Sequence, residues 1–121
     1  MEDLLNKEPV KRVLKALSDF DESLKVENLI NSARTAKEAS ESLKTEVGSI
    51  VKSLLLRTKS SFLLCLVAGD KRCSLNKIKK LLNEKDVSMA NAEQVKEITG
   101  FTIGGVSPVG HLNKIDIFID Q

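Results

Sequence analysis

Two nearly continuous apolar runs, SIVKSLLLRT (49–58) and SFLLCLVAGD (61–70), stand in the middle of the chain with a short polar break between them. Their length and flanks predict paired strands at the heart of a sheet. Upstream, Val10, Val13, Leu14 and Leu17 recur at helical spacing behind Pro9, which predicts an amphipathic helix over about 9–19. SLKVENLI (23–30) alternates weakly around Leu24 and Val26 and predicts a short strand. TAKEASESL opens with Thr35 and Glu38, the spacing at which two side chains satisfy orphan N–H groups of a first turn, so a helix should begin at Thr35.

Downstream the period returns to that of a helix. SLNKIKKLL has Ser74 as cap and Leu75, Ile78, Leu81 and Leu82 on one face, and NAEQVKEIT has Asn91 as cap with Gln94 three residues on and Gly100 as the stop. KIDIFID then alternates Ile115, Ile117 and Ile119 with Asp116, Phe118 and Asp120, which predicts a half-buried strand. Interspersed helices and strands without internal repeats predict one α/β or α+β domain over 1–121. Its sheet should be mixed and largely antiparallel, flanked by helices.

Composition sharpens this in a few places. With 121 residues, 41% hydrophobic and 30% charged, the chain can bury one core and reads as neither disordered nor membrane-spanning. No apolar run approaches the roughly 20 residues of a membrane helix, so no membrane partner is expected. The start, MEDLLNKEPVKR, lacks the features of a secretory signal, and a cytoplasmic location is expected. Cys65 and Cys73 form neither a CxxC motif nor a disulfide framework; Cys65 inside LLCLV is expected to be a small buried hydrophobe. The net charge of +2 does not mark a nucleic-acid binder, yet Lys71, Arg72, Lys77, Lys79, Lys80 and Lys85 stand against a lone Glu84 over 71–85. That stretch reads either as a solvated helix face or as a cationic surface for phosphate. The chain has no Tyr or Trp to stack on bases.

Two places invite chemistry. Lys52 interrupts an otherwise dry strand, so it must point to an edge or cleft, or have an anionic partner. GGVSPVGH gathers Gly104, Gly105, Pro108, Gly110 and His111, the only histidine, within eight residues. Such a loop is either a tight connection between helix and strand or a rigid set of N–H groups converging on a carbonyl or phosphate oxygen, as an ester hydrolase would require. His111 reads as a general base, a substrate clamp or a ring packed over the loop. No Ser or Cys triad is indicated, and Ser107 does not stand in a GxSxG elbow.

TAKEASESL, SIVKSLLLRT, LLCLVAGDKR, EITGFTIGGVSPVGH and IDIFID, in that order and spacing, resemble the YbaK-like family of aminoacyl-tRNA deacylases, also called the prolyl-tRNA-synthetase-associated editing domain. The resemblance runs over about 35–120, and its specific parts are the lysine of VKSL and the glycine loop ending in Gly-His. It implies hydrolysis, in trans, of the ester joining a wrong amino acid to the 3′ end of a tRNA, with tRNA-Pro carrying Ala, Cys or another small amino acid as the expected substrate. It also implies no metal or other cofactor and no covalent enzyme intermediate, with water or the ribose 2′-hydroxyl involved in the attack.

Carried over by position, the resemblance gives catalytic roles to Lys52, Gly104 and His111. Gly105, Val106, Ser107, Pro108 and Gly110 would line the aminoacyl pocket, with His111 more a selectivity or positioning residue than a universal base. Lys71, Arg72, Lys77, Lys79 and Lys80 are expected to meet the tRNA, and a synthetase is a further expected partner. Thr35 and Asp120 match as a helix cap and a strand-end residue. Ser53, where the alanine-removing branch tends to have asparagine, argues against an alanine-only substrate. Family members continue beyond the strand equivalent to IDIFID, so the resemblance implies either a shortened member that still folds or an exposed sheet edge covered by a partner or a second copy. Two other functions remain open: a non-catalytic aminoacyl-tRNA or synthetase-binding module, and a small-molecule hydrolase on the same scaffold.

Overall fold

The computed structural model describes residues 7–26 and 35–119. The first helix, α1 (Glu8–Phe20), starts with proline in its first turn, as the fixed φ of that residue favours, and none of its residues is buried. Residues 23–26 adopt no strand, and the rest of the weakly alternating segment lies outside the described residues. A second helix, α2 (Ala36–Leu43), is capped by Thr35, whose Oγ1 accepts from the Glu38 N–H at 3.1 Å. A 3-10 turn (Val47–Ser49) then delivers the chain to β1 (Val51–Arg57) and β2 (Phe62–Ala68).

These two strands pair antiparallel along their whole length, from Val51 opposite Ala68 to Arg57 opposite Phe62. Strand β3 (Ser88–Met89) joins β1 antiparallel, and β4 (Asp116–Ile119) joins β2 in parallel, for a sheet order β3-β1-β2-β4. Between them come α3 (Leu75–Leu82), capped by the Ser74 hydroxyl, and α4 (Ala92–Thr99), which carries a complete capping box from Asn91 and Gln94. The fold is therefore the expected mixed sheet flanked by helices.

Alternation along the central strands splits the core in two. Leu56, Leu63, Cys65 and Val67 face Ile78 of α3, with Leu54, Leu75 and Phe118 packed around them. Leu55 and Leu64 face Val95 of α4, joined by Leu66, Ile98, Val106 and Ile115. Apolar residues are needed on both faces, which is why both strands read as continuous runs. Leu56 and Leu64 are fully buried, each stabilising the fold by about 1.5–3 kcal/mol of transfer free energy.

Strand β4 forms over Asp116–Ile119 as the half-buried strand expected. Phe118 packs into the α3-side core, while Ile117 and Ile119 are 46% and 72% exposed. Of the alternating isoleucines only Ile115, just before the strand, reaches the core. No helix of the described residues is long and apolar enough to cross a membrane.

Candidate functional site

Strand β3 pairs only with Leu56 and Arg57, with the Ala90 N–H reaching the Leu55 carbonyl at 3.0 Å. Among the described residues the first half of β1 therefore has an open edge. Ile50 O accepts from Gly69 N on the β2 side, so strand alternation turns the backbone groups of Val51 and Ser53 toward that edge. A cavity of about 530 Å³ opens there, walled by Ala36 and Ala39 of α2, Lys52 and Ser53 of β1, and Gly104 and Val106 of the glycine loop. Thr35, whose position reads from sequence as a helix cap, performs that role and lines the cavity as well.

Lys52 is half-buried, and its ammonium donates to the backbone carbonyl of Lys71 in the turn that leaves β2. Of the alternatives that its place in a dry strand allows, the cleft is realised, with a carbonyl rather than a carboxylate beside it. An ammonium carries three donors, so two remain for a ligand. The Ser53 hydroxyl is buried and has no hydrogen-bond partner among the described residues.

The loop over 100–112 leaves α4 and returns to it. Gly100 caps the helix in the left-handed conformation, and the Leu112 N–H comes back to the Thr99 carbonyl at 3.1 Å. Asn113 Nδ2 closes the neck by donating to Ile98 O at 2.9 Å. Gly104 has a φ of +84° with open space where a Cβ would stand, so its glycine answers a backbone demand at the cavity wall rather than crowding. Gly110, at φ +79°, is also crowded: a Cβ there would lie 2.9 Å from the Arg12 carbonyl oxygen.

His111 does not line the cavity. Its Nε2 donates to the Ser107 carbonyl at 2.6 Å, and its ring meets Phe101 edge to face at 5.9 Å between centroids. Of its three readings, the ring packed over the loop describes its place. Ser107 Oγ accepts from Val109 N at 3.1 Å, which tightens the turn around Pro108. Gly105, Ser107, Pro108 and Gly110 thus shape the loop behind the wall formed by Ile103, Gly104 and Val106.

The basic residues divide. Lys71 and Arg72 are exposed in the turn whose carbonyl accepts from Lys52, and neither lines the cavity. Lys77 and Lys80, three apart on α3, are exposed and share a face, while Lys79 is half-buried. Lys77 also borders a smaller cavity of about 240 Å³ with Leu81, Phe118 and the two cysteines. Cys65 is buried, as its apolar setting suggests, and its sulfur lies 3.5 Å from that of Cys73. Among the described residues there is no cluster of three or more His, Cys, Asp or Glu side chains suited to a metal ion.

Sequence pattern missed one contributor. Arg12 of α1 donates from Nη2 to Gly100 O at 2.7 Å and from Nε to Gly110 O at 3.2 Å, and its guanidinium lies 5.0 Å from the Phe101 ring centroid. Nothing in the spacing of charged residues along α1 distinguishes it from its lysine neighbours.

Comparison with known proteins bears on the family and the fold. Residues 30–121 match the profile of the family described as the aminoacyl-tRNA editing domain. The proline–tRNA ligase of Kosmotoga olearia is 36% identical over 109 residues, covering 86% of this chain and 19% of that protein. That of Bacillus licheniformis is 37% identical over 89 residues, covering 74% of this chain and 16% of that protein. The chain thus spans less than a fifth of the length of these ligases. Among solved structures, one described as a candidate trans-editing enzyme for prolyl tRNA synthetase superposes with a TM-score of 0.87 at 41% identity, covering 94% of this chain and 73% of that one. The architecture, the matched profile and these relatives together place the chain in the aminoacyl-tRNA editing domain family.

Proposed function

We propose that the protein hydrolyses mischarged aminoacyl-tRNA in trans, with tRNA-Pro carrying alanine, cysteine or another small amino acid as substrate. The observation that carries this reading is the meeting of Lys52, Gly104 and Val106 in one cavity beside an exposed basic turn. The small, apolar walls contributed by Ala36, Ala39 and Val106 suit a short side chain. A synthetase pocket separates side chains that differ by a methylene by only about 1–3 kcal/mol, so a second site that hydrolyses the smaller ester serves fidelity.

In the proposed reaction a water oxygen adds to the ester carbonyl carbon. The tetrahedral intermediate collapses with cleavage of the bond to the ribose oxygen, which takes the proton, releasing free amino acid and uncharged tRNA. The ribose 2′-hydroxyl of the substrate is placed to relay that proton. Lys52 uses its remaining donors on the terminal ribose or phosphate, and the Gly104 N–H, rather than that of Gly105, which already donates to Thr102 O at 2.8 Å, is the loop amide proposed for the developing oxyanion. One such donor contributes on the order of 3 kcal/mol to the transition state, so positioning can supply much of the rate without an enzyme nucleophile.

Lys71 and Arg72 would meet phosphates next to the 3′ end, and Lys77 and Lys80 would continue along the acceptor stem. The proposed site of action is the cytoplasm, alongside the synthetase that makes the error. Deacylation of tRNAs charged with alanine, cysteine, serine and proline tests the reading: selective loss of a non-cognate ester supports it. Stoichiometric tRNA binding without cleavage would instead favour a binding module, and cleavage of free aminoacyl esters alone would favour a small-molecule hydrolase.

A further inference from the structure

We propose that Arg12 is a positioning residue for the cavity and that α1, which lies outside the segment matched by the family profile, is a working part of the site. Arg12 grips both ends of the glycine loop at once. Its guanidinium takes the carbonyls of Gly100 and Gly110, ten residues apart in sequence, and stacks on Phe101 between them. The planar fork fixes the distance between those two carbonyls, which a single ammonium cannot do.

The backbone of α1 completes the grip. Gly110 packs so closely against Arg12 O and Val13 N that a Cβ would stand 2.9 Å and 3.1 Å from them. On the inner side of the neck, Phe101 is buried and His111 meets its ring edge to face. The loop therefore has its ends clamped, a brace across its base, and Ile103, Gly104 and Val106 presented to the cavity. A change in the span between Gly100 and Gly110 must move that wall, because the strands on the far side are held by the sheet.

Since α1 buries no residue of its own, the polar grip of Arg12 is a principal attachment of the helix to the loop. Removing it should free the loop without unfolding the sheet. The proposal about the loop stands on geometry alone; only its kinetic consequence rests on the editing reading.

The test uses the full chain with Arg12→Ala and Arg12→Lys. Amide hydrogen exchange is followed over 101–111 and over β1 and β2, and steady-state deacylation of the mischarged tRNA that wild type cleaves is measured in parallel. The expected result is faster exchange confined to the loop in both variants. With it should come a fall in kcat on the order of 10- to 100-fold, the scale of an ångström of misplacement, and a KM changed less than about threefold. Unchanged loop exchange in Arg12→Ala overturns the proposal, as does an equal rise in β1 and β2, which would mark a general loss of stability. Loosening of the loop with full activity also overturns it, and recovery of kcat by lysine would show that charge rather than the fork is what matters. If the loop loosens but wild type cleaves no tRNA ester, the positioning of the loop stands and the editing reading fails.

Discussion

The ammonium of Lys52 donates to the backbone carbonyl of Lys71, which ties the cavity lysine to the basic turn that follows β2. A charge that would be costly inside a dry strand is thus half-solvated at the strand's open end and aimed by main chain. The same contact sets the Lys71–Arg72 turn beside the Lys52 ammonium, so the groups proposed to hold the substrate's end and its phosphates adjoin one another.

The core sets the stability of this arrangement. Leu64 is fully buried between β1, β4 and α4, so Leu64→Ala should destabilise the fold by about 2–5 kcal/mol through lost burial and the cavity left behind. Urea denaturation measures it. A change below about 1 kcal/mol would contradict the two-faced core.

Gly104 separates backbone demand from crowding. Alanine there meets no atom within 4 Å but must hold φ near +84°, a conformation that costs an L-residue roughly 1–2 kcal/mol. Gly104→Ala should therefore lower stability by about that amount or move the loop to relieve the strain. In either case deacylation should fall more than stability explains, as seen by comparing activity with thermal unfolding.

His111 donates through Nε2 to the Ser107 carbonyl and lies behind the cavity wall. A general base contributes roughly 10²–10⁴-fold, whereas a brace should contribute less. His111→Ala is expected to reduce kcat by less than about tenfold and to leave the shape of the pH–rate profile unchanged. Loss of an ionisation from that profile would restore the histidine to the chemistry.

Much of this was legible in the sequence because it is local. Thr35, Ser74 and Asn91 announce their helices through side chains that satisfy nearby N–H groups, and the apolar runs of β1 and β2 follow from burial on both faces. Lys52 and the glycine loop stood out because they break the surrounding pattern. What stayed hidden is tertiary. Strand β3 has two residues and no period to detect, and Arg12 acts on carbonyls 88 and 98 positions away. The buried face of β4 was hidden for a related reason: alternation defines two faces, and packing against Cys65, Ile78 and their neighbours chose the one bearing Phe118.

Salt dependence reports on the basic surface. Neutralising Lys77 and Lys80, both exposed on α3, should make the slope of log K against log salt for tRNA binding shallower by about 1 to 2. Lys79, half-buried, should contribute less than either. A slope that does not change removes α3 from the tRNA path and leaves Lys71 and Arg72 as the phosphate contacts.

The most direct measurement compares wild type with Lys52→Ala on tRNAs charged with alanine, cysteine, serine and proline, after circular dichroism confirms that both are folded. Rapid loss of one non-cognate ester by wild type, reduced on the order of 10²-fold or more by the substitution, is the expected result. Equal cleavage by both proteins, or no cleavage by either, would contradict a site built around Lys52 and the Gly104 loop.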